Sequence, residues 1–253
     1  MDWLQALILG IVQGLTEFLP VSSSGHLVLG QALMDISIPG HEFEVMVHLG
    51  TLCSVLVIFK DDILNILNTL KSEKTRREIF TLIIGTLPAV FVGFMFKDQI
   101  NLIFERVEYV GITLITTGIV LLVSKRFSGG KKEITLLVGF LIGLSQAVAI
   151  IPGISRSGLT ICTGLALGIT SEKSARFSFL LAIPVIFGAG LLTVFDIESF
   201  NSIKWTMMFI GFFSSFGIGI FALKWLLGWL KSGRFFWFGF YCLLTGIVTW
   251  FLS

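Results

Sequence analysis

Apolar residues run in six solid blocks along this chain, near residues 43–59, 79–96, 109–123, 175–195, 205–224 and 235–252. A helical bilayer crossing takes about 20 residues, fewer where the bilayer thins or charged ends snorkel. None of the blocks alternates polar and apolar residues as a membrane β-barrel strand must. One such block would suit a buried helix of a water-soluble protein, but six with so few charges between them do not. Only 13% of the 253 residues are charged, against 55% hydrophobic, and a soluble domain carries about twice that charge. The expected class is an all-α polytopic membrane protein, with residues 1–253 forming a single integral membrane domain. Disorder, a disulfide scaffold and nucleic-acid binding are disfavoured, and a net charge of +2 says nothing about partners. Cys53, Cys162 and Cys242 lie inside apolar segments and read as buried thiols. The opening residues lack the basic region of a secretory signal peptide.

Two further apolar segments, about 2–34 and 134–170, are each interrupted. The first breaks at Leu19-Pro20-Val21-Ser22-Ser23-Ser24-Gly25-His26, the second at Ile151-Pro152-Gly153-Ile154-Ser155-Arg156-Ser157-Gly158. The apolar run after each break is short, so each segment is expected to be a re-entrant helical hairpin. Irregular backbone at membrane depth survives only inside protein or beside a water-filled cavity. The expected architecture is therefore about six transmembrane helices plus two re-entrant hairpins.

Loop charges set the orientation. Lys60, Lys71, Lys74, Arg76, Arg77, Lys125, Arg126, Lys131, Lys132, Lys173, Arg176, Lys224, Lys231 and Arg234 fall on one side. Lys97, Arg106 and Lys204 fall on the other. The basic side is expected to be cytoplasmic, which puts both termini outside. The hairpins then enter from opposite faces, and they are related in sequence. A shift of 133 residues lays Gln13 on Gln146, Ser22 on Ser155, Ser24 on Ser157 and Gly25 on Gly158. Opposed related units make an inverted-topology repeat. A second echo relates Pro88-Ala-Val-Phe to Pro184-Val-Ile-Phe.

Three ionisable residues stand apart from the loops. Glu17 lies deep in the first hairpin, one helical turn after Gln13, His26 follows the serine run, and Arg156 sits between two serines. An intramembrane ionisable group costs several kcal/mol unless paired or wetted, and so marks a functional site by default. The plainer alternative is a structural Glu17–Arg156 ion pair stitching the hairpins. Both breaks offer hydroxyls, a glycine and the start of a helix, the features an anion site uses, and Arg156 adds a fork suited to phosphate. Helix capping by Ser22–Ser24 or Ser155 is the ordinary role of such serines. Glu44 and His48 read as a structural pair near the interface, with metal binding the alternative. His41 and Glu42 read as loop residues. Trp residues near 225–237 fit an interfacial belt, and Ser214 and Ser215 beside Gly217 and Gly219 fit close helix packing.

The stretch Gln13-Gly-Leu-Thr-Glu17-Phe-Leu-Pro-Val-Ser-Ser-Ser-Gly-His26, followed by Pro152-Gly-Ile-Ser-Arg-Ser-Gly158, resembles the undecaprenyl-diphosphate phosphatase family of the bacitracin-resistance type. The resemblance covers essentially the whole chain, including Phe43-Glu-Val and Phe177-Ser-Phe-Leu-Leu-Ala. It implies an enzyme of the bacterial plasma membrane, open to the outer face. Such an enzyme removes the terminal phosphate of undecaprenyl diphosphate and so recycles a lipid carrier for cell-wall synthesis. The resemblance further implies catalytic roles for Glu17, Ser23, His26 and Arg156, substrate contacts from Gln13, Ser22, Ser24, Gly25, Ser155, Ser157, Gly158 and Thr160, and a divalent cation, Mg²⁺ or Ca²⁺, on Glu17 and Gln13. Ser23 attacking phosphorus with His26 as its base is the preferred route, and a phosphohistidine at His26 the runner-up. The tail groove is expected from spans 79–96, 175–195 and 205–224. The partners are the polyprenyl diphosphate and membrane lipids, with the number of subunits, a homodimer included, left open. A lipid-phosphate transporter with an inverted repeat is the competing class.

Overall fold

The computed structural model describes residues 1–36, 42–96, 99–100, 107–127, 129–196 and 205–252. Eleven helices are described: α1 Trp3–Thr16, α2 Ser23–Leu33, α3 Glu42–Ile58, α4 Lys60–Asn68, α5 Glu73–Met95, α6 Val107–Ser124, α7 Leu136–Val148, α8 Arg156–Ala166, α9 Ser171–Asp196, α10 Trp205–Lys231 and α11 Trp237–Leu252. Three helices are long and apolar enough to cross a membrane, over Glu73–Met95, Ser171–Leu191 and Trp205–Lys231. A fourth span is available if α3 and α4, bent by 67° at Phe59, act as one. The protein is thus all-helical and of the multi-pass membrane type.

The six apolar blocks coincide with α3, α5, α6, α9, α10 and α11 to within a few residues, and the interrupted segments with the pairs α1–α2 and α7–α8. The basic stretch 60–78 is not the plain loop expected. It folds into α4, which buries no side chain, and into the first turns of α5. An apolar block marks where a helix meets lipid, whereas the helix itself runs on into water as long as its backbone bonds are satisfied. Glu42 is likewise not a loop residue but opens α3 and is buried, where the positive end of the helix dipole favours a carboxylate. His41, Lys97, Arg106 and Lys204 lie outside the described residues.

Helices pack through glycine as expected where lipid supplies no hydrophobic driving force. A Cβ on Gly143 would stand 2.2 Å from the Gly85 carbonyl oxygen, so α5 and α7 touch backbone to backbone. Gly118 of α6 and Gly239 of α11 oppose one another in the same way. Ser215 of α10 donates to the Val47 carbonyl of α3 at 2.9 Å, a polar tie between two apolar helices. Trp225 and Trp229 pack with Phe238 where α10 turns into α11.

The two halves of the chain pack in matched pairs. α1 lies against α10 as α7 lies against α5, and the broken pairs α1–α2 and α7–α8 fold back alike. Both α2 and α8 have 11 residues, about 16 Å of helix, half the thickness of a bilayer core. The start and end of the second broken pair meet, since Lys173 donates to Glu133 at 2.6 Å and the Lys132 amide donates to the Gly168 carbonyl. Arg176 binds Asp62 and Glu78, and Lys231 lies 3.6 Å from Glu172. These ion pairs tie together four of the stretches that carry the basic residues. The echo at Pro88 and Pro184 falls inside α5 and α9.

Candidate active site

Each break delivers its serines to a helix start. Ser22 caps α2 by accepting from the Gly25 amide at 3.3 Å, and Ser155 caps α8 by accepting from the Gly158 amide at 3.1 Å. In each motif the cap hydroxyl also meets the hydroxyl two residues on, Ser24 or Ser157, at 3.3 Å. The same shift of 133 residues therefore describes these hydrogen bonds, though not the cap backbone, since Ser155 has φ −76°. The ordinary capping role of these serines is therefore present. Ser22 has φ +68°, a backbone region costly for a residue with a side chain, by about 1–3 kcal/mol. Gly153, φ +86°, is a glycine of necessity, because a Cβ there would lie 1.9 Å from Thr113 Oγ1.

Two threonines of α6, one turn apart, hold the second break. Thr113 donates to the Pro152 carbonyl at 2.6 Å, and Thr117 donates to the Gly153 carbonyl at 3.0 Å while accepting from the Ser155 amide at 3.1 Å. Ser157 donates to the Leu19 carbonyl at 3.3 Å, so the two tips touch. Phe18, fully buried, packs edge-on against Phe179 of α9 and fixes the first tip in the core.

The first helical residues of the two short helices, Ser23 and Arg156, converge on one carboxylate. Ser23 Oγ donates to Glu17 Oε2 at 2.7 Å, and Arg156 Nη2 donates to Glu17 Oε1. Gln13 Nε2 donates to Glu17 Oε2 at 3.1 Å. The Glu17 side chain is 6% exposed and that of Arg156 16%. Gln13 Oε1 and Arg156 Nη1 are buried without a partner, and an unfilled donor and acceptor at a buried centre are what a bound ligand would complete. The ion pair weighed from sequence is present, and it leaves half of the guanidinium fork unused.

His26 is not placed as the base of Ser23. Its Nδ1 donates to the Ser22 carbonyl at 2.8 Å, and its Nε2 lies 2.9 Å from the Tyr241 hydroxyl. Helical spacing puts Ser23 and His26 on one face of α2, but Glu17 returns from the preceding helix and takes the serine hydroxyl first. Thr160 is not part of the cluster either. Its hydroxyl bonds Ser178 of α9 at 2.6 Å and the Arg156 carbonyl at 2.7 Å, joining α8 to α9.

Glu44 and His48 are not the expected side-chain pair. His48 Nδ1 donates to the Glu44 backbone carbonyl at 2.7 Å, and its Nε2 points to Glu17 Oε2 at 3.7 Å. Gln31 Nε2 donates to the Glu44 carboxylate at 3.4 Å. His48 thus borders the centre, a placement that its position inside an apolar block hinted at. Tyr241, Thr113 and Thr117 also went unnoticed in the sequence. Among the described residues no three of His, Cys, Asp and Glu gather as a metal site. An apolar groove between α5 and α9 is lined by Ile79, Leu82, Ile83, Thr86, Leu87 and Pro184.

Known proteins resemble the chain over nearly its whole length. The family model described as "Bacitracin resistance protein BacA" matches residues 6–248. A protein of Methanosphaera stadtmanae named undecaprenyl-diphosphatase is 39% identical over 274 residues, covering 100% of this chain and 99% of that one. Proteins of the same name from Christiangramia forsetii and Carboxydothermus hydrogenoformans are 40% and 41% identical, each covering 98% of this chain and 97% and 96% of theirs. With its broken helices, its buried carboxylate and this full-length match, the chain belongs to the bacitracin resistance protein BacA family.

Proposed function

We infer that the protein is a membrane hydrolase that removes the terminal phosphate of undecaprenyl diphosphate, giving undecaprenyl phosphate and recycling the carrier for cell-wall synthesis. Relatives named undecaprenyl-diphosphatase at about 40% identity over the whole chain support the substrate. The observation that carries the chemistry is the meeting of Ser23 and Arg156 on Glu17.

Phosphoryl transfer demands positioning and charge stabilisation more than covalent chemistry. Arg156, with one nitrogen free, clamps the terminal phosphate, aided by the amides at the starts of α2 and α8. Ser23 attacks the terminal phosphorus in line, and its proton passes to Glu17, which already accepts that hydroxyl. The bond from phosphorus to the bridging oxygen breaks and undecaprenyl phosphate leaves with the electron pair. Water then hydrolyses the phosphoserine, giving inorganic phosphate and restoring the hydroxyl. This route replaces His26 by Glu17 as the base.

The oxygens fit a hard divalent cation. Gln13 Oε1 is a buried carbonyl oxygen without a partner, beside a carboxylate, and such ions accept few protein ligands when phosphate and water complete the shell. Gln13 and Glu17 would hold it, and it would neutralise charge on the diphosphate.

The finer architecture belongs to the same proposal. The two broken pairs are re-entrant hairpins of an inverted repeat among six spans, in one domain of the plasma membrane, with the site opening outside. The 133-residue shift, the matched caps and the Glu133–Lys173 contact support this. Purified protein in detergent, given undecaprenyl diphosphate, should release inorganic phosphate. Lipid counterflow in liposomes with no phosphate release in detergent would instead make it a transporter.

A further inference from the structure

Tyr241 of α11 has its hydroxyl 2.9 Å from His26 Nε2 and its ring stacked on the imidazole, centroids 5.7 Å apart and planes 14° from parallel. The chain contains 25 phenylalanines and two tyrosines. Where only a ring is wanted it uses phenylalanine, as at Phe238 and Phe240 on the same helix, so the phenol oxygen at 241 has a polar task. The hydrogen bonds orient it. The Ser22 carbonyl can only accept, so His26 Nδ1 carries a hydrogen. In the neutral ring Nε2 then accepts, and Tyr241 is the donor.

The pair stands at a boundary. His26 lies one turn beyond Ser23 on α2, on the same face as the centre. Tyr241 is 45% exposed on a face of α11 that continues through Leu244 and Val248, both exposed and apolar. A tyrosine with its ring toward lipid and its hydroxyl inward suits such a boundary. A lipid diphosphate with its terminal phosphate at Ser23 and Arg156 has its second phosphate on the way back to the bilayer.

We propose that Tyr241, oriented by His26, donates a hydrogen bond to the phosphate that stays on the lipid, so that the two form a subsite selecting polyprenyl diphosphate over water-soluble phosphates. The hydroxyl turns from Nε2 to a phosphate oxygen, with no covalent change. The proposal rests on the phosphatase reading above and adds to it a group that recognises the retained half of the substrate.

Tyr241→Phe keeps the ring and its stacking and removes the donor. With undecaprenyl diphosphate in detergent, the KM of this variant rises about tenfold, the size expected for losing one hydrogen bond to a charged group, while kcat stays within about twofold. Inhibition by undecaprenyl phosphate weakens by a similar factor, and inhibition by inorganic phosphate, which needs only the buried centre, is unchanged. An unchanged KM overturns the proposal. So does a fall in kcat at constant KM, which would put the phenol in the chemistry, and so does an equal weakening of both inhibitors, which would mark a general disturbance of the site. If the unaltered protein releases no phosphate from undecaprenyl diphosphate, it is the hydrolase reading that fails, before any variant is compared.

Discussion

Glu17→Gln separates the catalytic and the structural roles of the central ion pair. The substitution is nearly isosteric. It removes the charge that Arg156 faces and the acceptor strength that Ser23 and Gln13 use. Breaking a buried ion pair from one side costs about 3–5 kcal/mol. With the arginine side chain 16% exposed and so partly wetted, the lower end applies. Domains are stable by about 5–15 kcal/mol, so the variant folds but melts earlier. Loss of a general base removes about 10²–10⁴ in rate, or roughly 3–5 kcal/mol of barrier. The double variant Glu17→Gln/Arg156→Gln has no uncompensated buried charge and should regain most of the stability. It should not regain activity, since base and clamp are both gone. Thermal unfolding in detergent and phosphate release from undecaprenyl diphosphate read the two effects separately. If the pair merely stitched the hairpins, activity would return with stability in the double variant. That result, or activity of Glu17→Gln within about threefold of the unaltered protein, a cost below roughly 1 kcal/mol, would refute the reasoning.

Further outcomes follow from the same geometry. Arg156→Lys keeps the charge but not the fork, and phosphate release should fall by about a hundredfold or more, because one nitrogen cannot both face Glu17 and offer the free position now held by Nη1. Ser23→Ala should abolish turnover, and adding Glu17→Gln should make it little worse, since residues acting as one unit are not additive; a quenched reaction should hold phosphate on serine, and acid-labile phosphate on His26 would redirect the mechanism. One-sided reporters should place the C-terminus outside and the 60–78 segment in the cytoplasm, and a cytoplasmic C-terminus would sink the opposed hairpins.

The helices were legible because composition and period reach far. Six apolar blocks became six helices, and the two interruptions became breaks where Ser22 at φ +68° and Gly153 at φ +86° leave the helical region, whereas Pro88 and Pro184 lie inside helices. Glu17 and Arg156 were legible as site residues, with their ion pair the alternative, because a charge inside an apolar segment is costly until an opposite charge or water meets it. What stayed hidden depends on which side chain reaches a shared atom first. Ser23 and His26 are three residues apart, and spacing alone let either serve the other. Glu17, across a break with φ +68° at Ser22, reaches the hydroxyl instead. The contacts of His48 and Tyr241 come from helices distant in sequence, where no local pattern reports them.

In the proposed mechanism the two related segments contribute different groups. Under the 133-residue shift part of the scaffold is preserved: Gln13 matches Gln146, and the caps Ser22 and Ser155 make the same hydrogen bonds, although their backbones differ, with φ +68° at Ser22 and −76° at Ser155. The reactive positions are not preserved. Glu17 falls on Ile150, Ser23 on Arg156 and His26 on Leu159. A symmetric pair with two glutamates at the meeting point would set like charges together, and a pair with two arginines would have no base. In the proposed mechanism one half gives the hydroxyl and the carboxylate and the other half the cation, so that two helix starts bring a nucleophile and an anion clamp to one buried point. Gln146 keeps the matching position without the matching partner. Its amide is buried with neither its oxygen nor its nitrogen partnered, whereas the matching Gln13 has Glu17 to donate to. In the proposed mechanism the two related breaks provide the helix starts, and the residues that differ between them set which one supplies the hydroxyl and which the cation.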